Sequence, residues 1–263
     1  MASPLLGLIE EAPTGPGVYL LLGEGDRLMY VGKAGNLRRR LREHARNDRR
    51  GFRSVVAVRW EEAPDERTAL AREADLIVYV KPRSNRSHTG QSKHCYVRVG
   101  DDVIDLVESP VCGYGSFAHV AKGTFSQTAA LTKAGFTSLL RLLWVVQPDR
   151  ARAIRIPGRI AGPSPPLTHR FTVADEWRPM LHDLLQGTSV ALVPALHDRV
   201  LDADDIPDVM RLPLARDAEA ACTFFELAPR RLHDARVRFG LGDGPVDGRE
   251  LGKLLAAELG VRR

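Results

Sequence analysis

Two short hydrophobic runs separated by a glycine-bearing turn constrain the first part of this chain most strongly. The runs are GVYLLL, which begins at Gly17, and RLMYVG, which begins at Arg27, with the tetrapeptide GEGD between them. Runs this short, rich in Val, Leu and Tyr and joined through glycine, are typical of a β-hairpin. The hairpin carries one tyrosine in each strand, Tyr19 and Tyr30.

A helix, a third strand and a second helix are predicted to follow the hairpin. The segment NLRRRLREHARNDRR from Asn36 has apolar residues at helical spacing, and SVVAVRW from Ser54 alternates as a strand does. The segment PDERTALAREADLIVYV from Pro64 has an acidic first turn and must end before Pro82, so we expect a helix. The order β-β-α-β-α predicts a small α/β domain with a central three-stranded antiparallel sheet flanked by helices.

The remainder of the chain predicts a mixed, mainly helical region. The stretch CYVRVGDDVIDLVE indicates another strand pair, FSQTAALTKAGFTSLLRLLWVV is helical in pattern, and DEWRPMLHDLLQG is a short amphipathic helix closed by Gly187. A Pro/Gly-rich connector, IPGRIAGPSPPLTHR, stands between the last two. We expect three regions, at residues 14–100, 101–187 and 188–263.

Composition indicates a soluble globular protein. Of the 263 residues, 44% are hydrophobic and 27% charged, and no apolar run approaches the roughly 20 residues that span a bilayer. The start MASPLLGLIEEAP lacks the basic flank of a secretory signal. Three widely spaced cysteines without a CxxC pair suit a reducing compartment. These features predict a cytoplasmic protein with no membrane partner.

Positive charge is concentrated in one segment of the chain. The net charge is +5, but ten basic and only two acidic residues lie between Arg27 and Arg53. Such a patch is the footprint of a protein that meets a phosphate backbone, although a solvated helix face is the alternative interpretation. At about 100° per residue from Leu37, one face between roughly 100° and 220° collects six arginines, while Arg40 lies near 300° beside the apolar stripe, toward the sheet. The six candidate DNA-binding residues are Arg38, Arg39, Arg42, Arg46, Arg49 and Arg50.

Glu73 interrupts the apolar face of the second predicted helix. Residues such as Ala69, Leu70 and Ile77 define that face, and Glu73 falls near its centre. A carboxylate that loses water there needs a cation. The phase leaves two interpretations open: an ion pair with Arg40 that only holds the helix to the sheet, or a metal site facing a cleft.

Several separated motifs together resemble one family. GVY with Tyr19, YVGKAGNLRRR with Tyr30, DERTALAREADLI with Glu73 and KPRSN with Asn85 resemble the GIY-YIG nuclease domain, closest to the N-terminal half of UvrC, the incision subunit of bacterial nucleotide excision repair. The resemblance covers roughly residues 14 to 100. It implies a phosphodiester hydrolase that acts on DNA.

The resemblance also implies roles for the matched residues. Glu73 would hold a single Mg²⁺ or Mn²⁺, while Lys33 and Arg40 would stabilise the phosphate charge. Tyr30 or Tyr19 would orient or deprotonate the attacking water, with Tyr30 preferred as the base and Tyr19 as its hydrogen-bond partner. A phenol of pKa near 10 becomes a base only beside cations.

Three more positions matter to the resemblance. Asn85 would brace the site or touch the phosphate. The stretch GRIAGPS resembles the cysteine-bearing stretch of the family, with Ile160 and Ser164 at two cysteine positions. Because an iron–sulfur cluster needs thiolate ligands, we expect no iron–sulfur cluster in this chain.

The sequence therefore predicts a metal-dependent DNA endonuclease that nicks one strand in DNA repair, with UvrA and UvrB as candidate partners. A single nuclease domain predicts one incision. Two alternatives remain open at this point: a catalytically idle DNA-binding adaptor, and a restriction-type nuclease whose C-terminal region reads bases.

Overall fold

The structure, a computed structural model, describes most of the chain, at residues 9–46, 54–85, 92–101, 103–107, 116–120, 127–147, 156–161, 168–169, 172–243 and 246–262. The chain forms two compact units. Residues 1–92 and 248–263 make the first, and residues 93–247 make the second. The last sixteen residues thus belong with the first unit, whereas the sequence suggested a continuous region from residue 188 to the end.

The first unit contains the predicted three-stranded sheet. Strands β1 (Gly17–Gly23), β2 (Arg27–Ala34) and β3 (Ala57–Glu62) pair antiparallel in the order β2-β1-β3. The central strand β1 is buried along its whole length, which explains its nearly continuous apolar run. Both β2 and β3 are therefore edge strands of this sheet.

Helices α1 (Leu37–Arg46) and α2 (Glu66–Asp75) follow β2 and β3. The side chain of Asp65 caps α2 by accepting the Thr68 backbone N–H at 2.7 Å. A buried π-helical turn, Leu76–Val80, continues α2 and ends at Lys81, whose backbone is left-handed. The predicted order β-β-α-β-α is confirmed.

The second unit combines a small sheet with six helices among its described residues. Its strands are β4 (Ser92–Val99), β5 (Ile104–Val107), β6 (Ser116–Val120) and β7 (Thr168–His169), in the order β6-β4-β5-β7. β4 and β5 pair antiparallel, as the sequence predicted. The helices are α3 (Gln127–Val145), α4 (Gly158–Ala161), α5 (Arg178–Gln186), α6 (Leu192–Leu201), α7 (Asp208–Leu227) and α8 (Pro229–Phe239).

The predicted helix before Gly187 is confirmed as α5. Gly187 adopts a φ of 79°, a left-handed conformation that glycine adopts without steric cost, and its N–H bonds the carbonyls of Asp183 and Leu184. The mainly helical character expected of the C-terminal half is confirmed as well.

A buried polar network joins three helices of the second unit. Asp217 of α7 accepts a hydrogen bond from Ser138 Oγ and two from the Arg141 guanidinium, one of them from Nε at 2.8 Å. Arg141 Nη1 also donates to the carbonyl of Ile160 in α4 at 3.1 Å. The network therefore fixes α4 and α7 against α3.

Ile160 occupies one of the two positions where the family carries a cysteine. Its side chain is buried in the core of the second unit, among residues such as Leu140 and Phe224. An isoleucine side chain has no atom that ligates iron, so this position does not fit an iron–sulfur cluster. Ser164, at the second position, lies outside the described residues, and the lack of a cluster stays a prediction.

The C-terminal helix α9 (Gly248–Glu258) returns to the first unit and packs on the π-helical turn after α2. Beyond it, the Arg262 N–H donates to Asp26 O and the Leu28 N–H donates to Arg262 O, each at 2.9 Å. No helix in the described part of the chain combines the length and apolar character that crossing a bilayer requires.

Candidate active site

The site begins at the open edge of β2. An edge strand presents backbone groups that no neighbouring strand can bind, and here side chains bind them. Asn85 accepts the Val31 N–H through Oδ1 at 2.9 Å and donates from Nδ2 to the Val31 carbonyl at 2.8 Å. Two residues further along β2, Glu73 Oε1 accepts the Lys33 N–H at 3.0 Å.

Glu73 is a half-buried carboxylate without an ion-pair partner among the described residues. Burial raises its pKa, while the Lys33 N–H and the charges of Lys33 and Arg40 oppose that rise. The predicted ion pair between Glu73 and Arg40 does not form, because Arg40 Nη1 bonds Glu43 Oε2 at 2.9 Å. Of the two interpretations left by helical phase, the structure favours a carboxylate that faces a cleft.

Three aromatic rings meet beside this carboxylate. Tyr19 is 1% exposed, and its hydroxyl shares a hydrogen bond of 2.7 Å with Nε2 of His44. The Tyr19 ring centroid lies 6.0 Å from that of Tyr30 and 5.3 Å from that of His44. Burial raises the pKa of Tyr19, and Tyr30 adds to the rise, whereas Arg40 opposes it.

Gly32 provides the space that Tyr19 fills. Tyr19 and Gly32 are register partners on β1 and β2. A Cβ atom at Gly32 would overlap the Tyr19 hydroxyl and lie 2.8 Å from a carbon of the Tyr30 ring. Only glycine therefore allows the backbone of β2 to approach the two phenols so closely.

A cleft of about 370 Å³ joins these groups. It brings together five of the six predicted catalytic residues, and the sixth, Asn85, is buried and hydrogen-bonded to Val31 of β2. The cleft is lined by Tyr19, Tyr30, Lys33, Ala34, Gly35, Asn36, Arg39, Arg40, Glu43 and Glu73.

The structure separates the six outward arginines into groups. Arg38 Nε donates to the Ala12 carbonyl at 2.7 Å, and Arg42 pairs with Glu10 at 2.7 Å, so both are bound to the segment before β1. Arg39 lines the cleft and Arg46 is exposed. The remaining two, Arg49 and Arg50, lie outside the described residues.

Arg40 lies at the cleft, but it is less inward than its helical phase suggested. Its side chain is 47% exposed, and its ion pair with Glu43 runs along the surface of α1. The helical phase fixes only the direction of the Cα–Cβ bond. The rest of a long side chain can bend toward a charge partner, which for Arg40 is Glu43, three residues later in the helix.

His44 and Glu43 belong to the site although neither was among the predicted site residues. His44 lies at about 340° on the helical projection that places Leu37 at zero, so it interrupts the apolar stripe of α1 much as Glu73 interrupts that of α2. The same criterion applied to α1 would have found it. Glu43 gives no comparable signal, because its partner Arg40 makes it resemble an ordinary surface pair.

A three-stranded antiparallel sheet whose two hairpin tyrosines meet an arginine of α1 and a glutamate of α2 at one cleft defines a GIY-YIG domain. A family model described as the UvrC-like GIY-YIG domain matches residues 15–86. Residues 15–86 of the first unit therefore form a GIY-YIG domain that is similar to that of UvrC.

The similar proteins are bacterial excision proteins. The UvrABC system protein C of Aquifex aeolicus is 39% identical over 87 residues, which are 31% of this chain and 15% of that protein. The Rhizobium meliloti protein of the same name is 28% identical over 237 residues, covering 84% of this chain and 34% of that protein. Excinuclease cho of Escherichia coli K12 is 31% identical over 106 residues, covering 39% of this chain and 36% of that protein. The chain thus spans about a third or less of the length of the UvrC relatives.

A solved structure is similar as well. The GIY-YIG N-terminal endonuclease domain of UvrC from Thermotoga maritima, bound to magnesium as its catalytic divalent cation, is 30% identical. The match covers 32% of this chain and 99% of that domain, with a TM-score of 0.30.

Proposed function

We propose that this chain is a metal-dependent DNA endonuclease that hydrolyses one phosphodiester bond and nicks one strand, in a UvrC-like incision during DNA repair. One observation carries the proposal: the cleft gathers Glu73, which has no ion-pair partner among the described residues, with three cationic side chains and two phenols. Metal-dependent hydrolysis of a phosphodiester uses such groups, namely a metal ligand, positive charge and a group that orients or deprotonates the water.

The residues at the cleft fit a single hard cation. Glu73 Oε1 accepts one N–H, and Oε2 receives no hydrogen bond from the described residues. The described part of the chain holds no group of three or more His, Cys, Asp or Glu side chains placed for a metal. A lone carboxylate suits Mg²⁺ or Mn²⁺, which keep several water ligands. When bound, the ion would neutralise charge at the scissile phosphate and the leaving 3′ oxygen.

Lys33 and Arg40 supply the positive charge for the phosphate. Lys33 lies in β2, the strand whose edge Glu73 binds, and its side chain and the Glu73 carboxylate line the same cleft. Arg40 pairs with Glu43 at the surface, where such a pair contributes little free energy. Its planar guanidinium can therefore exchange Glu43 for two phosphate oxygens at small cost.

We assign Tyr30 as the phenol that orients or deprotonates the attacking water. Burial raises the pKa of Tyr19, which disfavours its phenolate, so Tyr19 serves as the fixed neighbour that holds Tyr30 and His44 in place. Asn85 braces β2 beneath Tyr30 through its two hydrogen bonds with Val31.

The exposed arginines lead DNA to the cleft. Arg39 lines it and Arg46 lies at the end of the same helix, so both can follow a phosphate backbone without reading sequence. Proteins of the UvrA and UvrB type are the partners that we expect to deliver the chain to a lesion, in the cytoplasm.

The test is incubation of supercoiled and lesion-bearing duplexes with Mg²⁺, with and without UvrA and UvrB. We expect Mg²⁺-dependent nicks that a chelator abolishes and that are lost in Glu73→Gln. The amide of that variant still accepts the Lys33 N–H but carries no charge for the cation, so the sheet is preserved. Glu62→Gln, a matched change at an exposed residue of β3, is expected to leave nicking unaltered.

Full activity in Glu73→Gln would overturn the assignment. DNA binding without any cleavage would identify an adaptor instead. Cleavage of both strands at a fixed sequence would indicate a restriction-type nuclease.

A further inference from the structure

Arg72 and Glu73 are neighbours in α2, yet their side chains bind opposite edges of one sheet. Glu73 accepts the Lys33 N–H on edge strand β2. Arg72 donates from Nε and Nη2 to the two carboxylate oxygens of Glu61 on edge strand β3, at 2.7 and 3.0 Å. Because the strand order is β2-β1-β3, α2 crosses the sheet and is fastened at both sides.

The C-terminal helix adds a second partner for Arg72. Glu258 Oε2 of α9 lies 3.7 Å from Arg72 Nη2. The side chains are 19% exposed in Arg72, 33% in Glu61 and 24% in Glu258, so water screens these pairs less than pairs on the surface. A guanidinium bound by both oxygens of one carboxylate also has a defined orientation.

The segment after α9 is itself fastened to the sheet. Arg59 of β3 donates to the carbonyls of Leu259 and Gly260, and its Nη2 lies 2.8 Å from Asp26 Oδ1 in the β1–β2 turn. The N–H of Arg262 donates to the carbonyl of Asp26 in that turn, and its carbonyl accepts the N–H of Leu28 in β2. Together with the packing of α9 on the π-helical turn, these bonds make residues 248–262 a structural part of the nuclease domain.

We propose that Arg72 is a positioning residue for Glu73, and that Glu258 of the C-terminal helix shares this role. The inference rests on the proposed function of Glu73 as the metal ligand. Without the Arg72–Glu61 pair, α2 loses its side-chain anchor on β3 and can turn about its axis. A rotation of the helix by about 10–20° would already move the Glu73 carboxylate to the limit of the orientation that a functional site tolerates.

The test compares Arg72→Met with Arg67→Met, the same change at an exposed arginine of the same helix. The first measurement is hydrogen exchange of the Lys33 amide in metal-free protein, which reports whether Glu73 keeps its hydrogen bond. The second is Mn²⁺ affinity without DNA. We expect faster exchange at Lys33 and about 10- to 100-fold weaker Mn²⁺ binding in Arg72→Met, with wild-type values in Arg67→Met.

Wild-type exchange at Lys33 in folded Arg72→Met would overturn the positioning role. If that variant does not fold, Arg72→Lys and Glu258→Gln serve instead, because each removes only part of the contact; a smaller change of the same sign supports the role and no change overturns it. Faster exchange at Lys33 in a protein that binds no Mn²⁺ would support the positioning role while refuting the proposed metal site.

Discussion

Tyr19 is held on two sides, by the backbone at Gly32 and by the imidazole of His44. A buried phenol needs a hydrogen-bond partner, since an unsatisfied hydroxyl in the interior costs free energy. The partner here comes from α1, while the phenol comes from β1. This bond therefore links the helix that carries Arg40 to the strand beneath the cleft.

We predict that His44→Phe slows nicking by about tenfold, because the ring volume is retained while the Tyr19 hydroxyl loses its hydrogen bond to the imidazole. Single-turnover cleavage measures the effect. Mn²⁺ affinity is expected to stay at the wild-type value, since Glu73 is bound by β2 and not by His44. An unchanged cleavage rate would show that the bond between Tyr19 and His44 only stabilises the fold.

Helix α2 has a defined beginning that depends on one carboxylate. Asp65 accepts the Thr68 N–H, and these hydrogen bonds hold the pKa of Asp65 below its usual range. Because the folded state lowers this pKa, the charged cap contributes stability at a pH above the unfolded value, about 3.8, and loses that contribution as the pH falls through the folded value.

We predict that wild-type protein has a higher Tm than Asp65→Asn at pH 6, and that the difference shrinks as the pH is lowered to about 3. The asparagine keeps an acceptor for Thr68 but does not titrate. Thermal unfolding followed by circular dichroism at both pH values is the measurement. A difference that stays constant with pH would show that the charge of Asp65 is not what stabilises the cap.

For the strands and helices of the first unit, local sequence patterns predicted the elements themselves but not the ion-pair partners of their charged side chains. The first five strands and helices of the chain follow from short runs, turn residues and helical phase, and phase alone singled out Glu73. It could not reveal that Arg40 bonds Glu43 or that Arg42 bonds Glu10, because a long charged side chain takes its direction from whichever carboxylate the fold brings near.

Contacts between distant parts of the chain were beyond such reasoning. Arg59 and Leu259 meet across 200 positions of sequence. The helical pattern of residues 248–258 indicates an amphipathic helix, but no local feature states which sheet its apolar face will cover. The return of α9 to the nuclease domain therefore emerged only from the three-dimensional packing.

Within the second unit of the molecule, the buried carboxylate of Asp217 contributes to stability. Asp217 pairs with the guanidinium of Arg141 and accepts a hydrogen bond from the hydroxyl of Ser138, and all three are shielded from water. We predict that Asp217→Asn lowers the free energy of unfolding by about 3 kcal/mol, because it leaves Arg141 buried without its counterion. Urea unfolding, followed by the fluorescence of Trp144 and Trp177 in this unit, measures the loss.

The matched control is Asp198→Asn, an exposed aspartate of α6 in the same unit. It is expected to change stability by no more than about 0.5 kcal/mol. Combining Asp217→Leu with Arg141→Met should recover much of the loss, because the pair is removed as a whole. A loss that persists in the double variant would mean that packing, and not the charge, dominates.

The part of the β2 edge from Val31 to Lys33, which no strand covers among the described residues, has a consequence for how molecules of this chain behave in a crowded solution. An uncovered strand edge is a template on which another chain can add a strand and begin aggregation. Asn85 and Glu73 occupy the hydrogen-bonding positions at Val31 and Lys33, so the residues that serve the cleft also keep neighbouring molecules from joining this sheet. Selection for activity and selection for solubility therefore act here on the same two side chains.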